Sequence, residues 1–481
     1  MTDADEGEQP VPPRFWWLKR LAVSAGALIV LLGVCRWVWG VYADRRLETA
    51  IAQLRAAGEP IEPEDFDPPE DVPAASNAAI LLQQAAAGVT LNKTETALVD
   101  EIVSHPEWVR EHAAELGAIV DANRAAIDQV RAARDVPAAD WGVRIRTPAI
   151  NTVLPALSSQ RQLVKVTMAA ALVAAQRGDS HETLERIRDL LAIEAKLDRH
   201  PTLIAHMVAG AAAEYACSAL EWVTPALAVS DVATTVNAAL RPATREQAHA
   251  LIRELLDERA AREGLIRAYQ CERMLQLDTC RQFLGSGTAP RLWAPGMISP
   301  SLPVRVAFRP LFANDGAWML QWSSGWVAAA RRDNYPAARQ MWPPDLSNPT
   351  GLEQYTHYLS RMLLPSLERT LVINFHVLAR RRTAAIALAI RLFELDHGQR
   401  PTELVNLVPE YLPAVPADPF ASDGRAIGYR PDGERPVLYS ISVNGIDESG
   451  TPGPRKNGRV MWDEADIVFS LTPPIGTPNA K

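Results

Sequence analysis

The chain has 481 residues, 48% hydrophobic and 22% charged, a globular composition that excludes a disordered polypeptide and leaves room for two or three cores. Its formal net charge of -8 excludes the broad basic face that releases counterions from phosphates, so no nucleic-acid partner is expected. Four cysteines, Cys35, Cys217, Cys271 and Cys280, make no disulfide framework, and the last two stand roughly 13 Å apart along one expected helix, too far to be bridged.

The chain opens on a short head, residues 1–20, with acidic residues between Asp3 and Glu8 and the basic residues Arg14, Lys19 and Arg20. Residues 21–43 read as a transmembrane helix, because their apolar run approaches the ~20 residues that a bilayer core requires. Trp16 and Trp17 before it and Trp37, Trp39 and Tyr42 at its end suit the two headgroup levels, and Arg36 is expected to snorkel toward the nearer one. No A-x-A cleavage site follows, and Val34 precedes Cys35 where a lipoprotein signal needs a small residue, so the segment reads as an uncleaved anchor. Basic residues on both flanks nearly balance; we take the N-terminus as cytoplasmic and the remainder as extracytoplasmic, at a bacterial-type inner (cytoplasmic) membrane.

Residues 44–73 are expected to form a stalk helix that Gly58 stops, followed by an acidic linker. That linker carries Glu59, Glu62, Glu64, Asp65, Asp67, Glu70 and Asp71 among five prolines without a basic residue, the composition of an extended, solvated spacer. Residues 74–366 are expected to be an α-helical domain. Its clearest unit is a hairpin, 159–177 and 180–197, turning at Gly178-Asp179 with Ser180 as cap, and a third helix follows over 203–222. Thr244 and Gln247 have capping-box spacing at the head of one long helix that passes through Leu251, Leu255, Leu265 and Met274. The hairpin is somewhat like a tetratricopeptide unit, but no fixed period recurs, and an irregular bundle is the expectation.

Residues 285–349 are rich in Pro, Gly and Trp; Trp318, Trp322 and Trp326, at i, i+4 and i+8, share one helical face, which is expected to pack inward. The last region, 367–481, begins with a long helix to about residue 396 on which Arg380, Arg381 and Arg382 read as a solvated face. Thr402 is placed to cap a short helix, and strands are expected over 427–430, 437–443 and 465–471, with Asp432-Gly433 as the first turn. The fold class is thus mainly α: one N-terminal transmembrane helix, a helical bundle, and a small α+β C-terminal module with a short antiparallel sheet.

The module resembles the soluble core of type II secretion major pseudopilins. The likeness is carried by residues 389–404 (AIRLFELDHGQRPTEL), Tyr411-Leu412, Pro416-Ala417-Asp418-Pro419-Phe420, Gly428-Tyr429, Leu438-Tyr439-Ser440, Asn444-Gly445-Ile446-Asp447 and Ala465-Asp466-Ile467. It covers roughly a sixth of the chain. The resemblance implies a long helix packed on a small antiparallel sheet and a calcium-binding loop, whose aspartates match Asp447 and Asp466. The chain departs from the family in two ways: it has no prepilin cleavage motif, with some three hundred residues between span and module, and its loop carries an insertion with Arg455, Lys456 and Arg459. A pilus subunit is therefore not expected. Asp447, Glu448, Asp463, Glu464 and Asp466 do supply the hard oxygen donors that Ca2+ selects.

No H-E-x-x-H, G-x-S-x-G, Walker-type, dinucleotide-binding or C-x-x-C motif occurs. His200 and His206, with Glu194 and Glu214 nearby, do not have ligand spacing, because two histidines six apart face different ways. Glu254, Asp257 and Glu258 alternate with Arg253, Arg259 and Arg262 and read as a salt-bridged outer face. The sequence favours a membrane-anchored, non-enzymatic scaffold or binding protein with protein partners in a cell-envelope assembly. A membrane-tethered hydrolase and a ligand-binding sensor using the Trp face are the alternatives.

Overall fold

The computed structural model describes residues 15–68, 72–152, 157–230, 241–285, 301–344, 357, 359–360, 367–431, 435–456 and 459–472. The expectations for residues 1–14, for Glu70 and Asp71, for Trp293 and for the Asp432-Gly433 turn lie outside these residues. The chain is mainly helical, with one short three-stranded antiparallel sheet and an apolar N-terminal helix.

Helix α1, Trp16–Ala56, is continuous through both the apolar run and the expected stalk, and Gly58 ends it in the left-handed conformation. Its apolar stretch is long enough to cross a membrane and is 0% buried. Its second half is no free stalk. Ala43, Leu47 and Ala50 are buried with Leu277, Ala313, Ala317 and Leu320 in a small core of their own. The acidic segment after it is not a solvated spacer either: Ile61 and Phe66 are buried, Glu59 pairs with Arg273 and Arg331, Glu62 with Arg55 and Arg281, and Asp67 with Arg146.

Helices α2 (Ala78–Gly88), α3 (Lys93–Ser104), α4 (Ala113–Ala122) and α5 (Arg124–Arg134) build the first layer. Asn77 caps α2 by accepting from the amide of Ala79, and Asn92 with Glu95 closes a capping box on α3. The expected hairpin is α6, Leu157–Gln176, and α7, Ser180–Leu197, followed by α8, Leu203–Val223. The α7 cap is Asp179, which accepts from the Glu182 amide; Ser180 instead accepts from the Ala228 amide. The single helix expected after Thr244 is two, α9 (Arg245–Leu256) and α10 (Arg259–Leu284), broken where Asp257 leaves helical geometry. The Thr244–Gln247 capping box is present.

After α11 (Leu302–Ala307), α12 (Arg309–Ala330) and α13 (Tyr335–Arg339) comes the long α14, Leu367–His397, close to its expected bounds. One large core joins residues from α2 through α9 to the middle of α14, from Ala384 to Leu392, and to Ile427, Leu438 and Phe469 of the C-terminal region. The long helix therefore has one flank on α8 and α9 and another on the sheet.

That sheet has the order β1-β2-β5: Gly428–Arg430, Val437–Ser440 and Ile467–Ser470, all antiparallel. Leu438 stands opposite Tyr429 on one side and Phe469 on the other, so period-two alternation puts Leu438 and Phe469 on the α14 face. A separate two-stranded ribbon, β3 (Arg455–Lys456) and β4 (Arg459–Val460), occupies the insertion. In place of the short helix expected after Thr402, one 3-10 turn spans Leu404–Leu407.

Candidate functional sites

Three places concentrate polar chemistry. The first is the C-terminal loop that the sequence singles out. Asp466 is 1% exposed, and its Oδ2 accepts the Gly450 amide at 2.7 Å. Glu448 lies within hydrogen-bonding reach of it, and Asn444 Nδ2 donates to Glu448 Oε1 at 2.7 Å. The remaining oxygens, Glu448 Oε2 and Asp466 Oδ1, are buried without a hydrogen-bond partner of good geometry among the described residues, although the Glu448 amide also leans on the Asp466 carboxylate. Two acceptors placed together require a proton or a cation between them. Burial and the neighbouring Glu448 carboxyl push Asp466 up to about 6.

Asp447, the other residue matched to the family's calcium loop, is not brought to this pair. Its Oδ1 accepts the Ser449 amide and its Oδ2 meets Arg425 at 3.3 Å. Asp463 turns away to Arg369 at 2.9 Å. The residues fit a hard cation in part: two carboxylate oxygens stand ready in a closed loop, while Ca2+ wants six to eight oxygens, so backbone carbonyls and water would have to complete the shell. Among the described residues no group of three or more His, Cys, Asp or Glu side chains is gathered as a metal site.

The second place lies at the crossing of α7, α8 and α14. Arg380, Arg381 and Arg382 are not a solvated face; the first two are 6% and 4% exposed. Arg380 pairs with Glu221 at 2.8 Å and with Glu214, both on α8. Arg381 donates to Glu194 of α7 at 2.7 Å and to the carbonyls of Glu254, Leu255 and Asp257 at the end of α9. Arg382 grips Glu258 and the Ala417 carbonyl. Of the expected salt-bridged face of α9 and α10, Asp257 pairs locally with Arg259, while Glu254 reaches Arg188 of α7 and Arg262 reaches Asp333 in the turn before α13.

Glu194, Asp198 and His206 do meet, although Pro201 separates the histidine from the acids in sequence. His206 Nδ1 is 2.7 Å from Asp198 Oδ1, and Asn374 bonds the same imidazole. Burial opposes the charged ring, but Asp198 outweighs it and raises His206; burial also pushes Glu194 up to about 7. Gly264 of α10 is packed on the pair, and a Cβ there would stand 2.6 Å from the Asp198 carboxyl carbon. His200 is elsewhere, bonded to Thr202 and near Trp141, and burial holds it down to about 4. Asp198, though not His206, lines a cavity of about 270 Å³ with Glu263, Arg267 and Gln270.

The third place is a cavity of about 550 Å³ between α5, α6 and α7, lined by Arg124, Arg131, Arg177, Arg186 and Arg241. Four of these five arginines are paired locally. Arg124 and Arg177 share Asp121, Arg131 and Arg186 share Glu182 and Asp189, and Arg186 also holds Asp128.

The tryptophan face does pack inward: Trp322 and Trp326 are buried, in mutual contact, in a core with Tyr269, Tyr335 and Phe375. One grouping had no signal in sequence: Asp198 reaches His206 only through the turn after α7. Glu448 is legible there as one of five acidic donors, without the family match that falls on Asp447 and Asp466. Against protein-family models, curated proteins and solved structures, the chain has no match.

Proposed function

We propose that the chain is a single-pass, membrane-anchored, non-enzymatic scaffold or binding protein of a cell envelope, with the pseudopilin-like module as its contact surface for protein partners. The observation that carries this reading is the division of α1: its apolar half is wholly exposed, while its polar half is built into the helical body. An anchor so fixed holds the body rigidly near the membrane. The module supports the contact role with exposed apolar side chains, Val405 and Ile446, on loops beyond the sheet. The loop of Glu448 and Asp466 holds a hard cation, Ca2+ by the resemblance, and the bilayer surface faced by the body is the extracytoplasmic one.

A tethered hydrolase is favoured by one feature, the cavity that Asp198 lines. Against it, both known partners of the His206 ring are structural, Asp198 and Asn374, and no serine, threonine or cysteine among the described residues bonds it. The sensor alternative loses its support because Trp322 and Trp326 are core and Trp318 is packed against them.

Site-specific photo-crosslinking in intact cells tests the scaffold reading. Discrete protein adducts are expected from positions 405 and 446 and not from Glu111 on the helical body. Absence of adducts from both module positions, with the chain present and folded in the membrane, would overturn it.

A further inference from the structure

The six residues of α11 are patterned inside out. Its one charged residue, Arg305, is 4% exposed and donates to the carbonyls of Gln282 and Gly285 at the end of α10. Its apolar residues face outward: Leu302 is 46% exposed, Val304 42%, Val306 60%, and the following Phe308 51%. A surface helix in water shows the reverse arrangement.

The position of α11 gives the reason. Arg36 of α1 donates to the Ala307 carbonyl at 2.8 Å and to the Val306 carbonyl at 2.6 Å. Just beyond, Arg309 pairs with Asp44, and Gly40 is packed against Pro310. At about 1.5 Å per residue, a ~30 Å hydrocarbon layer beginning at Leu21 ends near Val41, so Arg36 lies about 7 Å inside that end. A guanidinium there needs acceptors in place of water, and the free carbonyls closing α11 supply them together with the negative end of its dipole. Arg36 thus does not have to snorkel. Trp37 and Trp39, which follow Arg36 in the apolar half of α1, are exposed as well.

We propose that α11 with Phe308 is a second membrane contact, lying in the bilayer interface beside α1 with Leu302, Val304, Val306 and Phe308 among the lipid acyl chains. This rests on the reading of α1 as a membrane anchor. The body would then touch the bilayer along a line rather than hang from one helix, which fixes its tilt as well as its distance.

The test uses the full chain in vesicles of phosphatidylcholine and phosphatidylglycerol. On a Cys35→Ser background, where the other three cysteines are buried, nitroxide labels are placed by Leu28→Cys, Val306→Cys, Phe308→Cys and, on exposed Thr94, Thr94→Cys. Collision with oxygen, which partitions into lipid, is compared with collision with a water-soluble nickel chelate. Labels at 306 and 308 are expected to favour oxygen several-fold over the label at 94, at a depth shallower than that at 28. Nickel accessibility at 306 and 308 equal to that at 94, with 28 deep, would overturn the second contact and leave the anchor intact. Exclusion of both reagents would mean that protein covers this face, and would overturn it also. A label at 28 exposed to nickel would instead refute the anchor itself.

Discussion

Arg381 makes four contacts that no other side chain on α14 duplicates: one carboxylate and three carbonyls at the end of a neighbouring helix. Arg381→Met keeps the aliphatic stem but strands Glu194, which is 3% exposed, and frees the α9 terminus. Breaking a buried pair from one side costs about 3–5 kcal/mol, whereas replacing both partners by apolar groups is often near neutral. Denaturant unfolding in detergent is expected to show that loss for Arg381→Met and partial recovery in the double variant Arg381→Met with Glu194→Met. The Glu448–Asp466 pair makes a different prediction. Asp466 is raised in the folded chain, so its contribution to stability is full below the unfolded value near 4 and is lost as pH rises through about 6. If Ca2+ occupies the pair, as proposed, it takes the place of the proton above that range and stabilises by mass action. Thermal unfolding of the full chain at pH 7.5 is expected to shift upward in Ca2+ relative to chelator, the shift vanishing at pH 5 and in Glu448→Gln. Equal melting in Ca2+ and chelator at pH 7.5 would assign the pair to a shared proton.

Among the elements, α1 divides into an exposed apolar half and a packed polar half. The apolar half has nothing to pack on within the body, but the polar half meets α12 through small residues. Gly316 of α12 lies so close to α10 that a Cβ would be 2.4 Å from Cys280 Sγ, and 3.5 Å from Leu47 of α1. The acidic segment then straps α1 down: Glu59 binds Arg273 and Arg331, and Glu62 binds Arg55 and Arg281. Despite the cost of burial, these guanidinium groups hold Glu59 down to about 2. Deleting residues 1–35 is therefore expected to leave the thermal midpoint of the body unchanged. Deleting residues 1–58 uncovers Ile61, Leu277 and Leu320 and removes Leu47, at a cost of at least about 3 kcal/mol. Differential scanning fluorimetry of the two truncations distinguishes them; equal midpoints would mean that the polar half of α1 contributes nothing to the core.

Across the whole molecule, the parts that local chemistry specifies were legible in the sequence. The apolar length of α1, the capping box at Thr244 and the glycine after α6 each act within a few residues, and the apolar helix, the start of α9 and the turn after α6 lie where those signals put them. Charge was not legible in the same way. Whether an arginine or a carboxylate is solvated or buried depends on a partner far along the chain: Glu59 and Arg273 are 214 residues apart, Glu194 and Arg381 187. No local window contains both. For that reason the acidic spacer became a strap, the arginine patch became the clasp of three helices, and the matched Asp447 gave way to Glu448. By itself, then, the sequence determined an apolar helix fit to cross a membrane, a mainly helical body and a small terminal sheet, because hydrophobic length and period are local properties. Only the tertiary structure decided which charges are buried, which carboxylates meet and which apolar face of α11 points outward, because those follow from what the fold brings across the chain into contact.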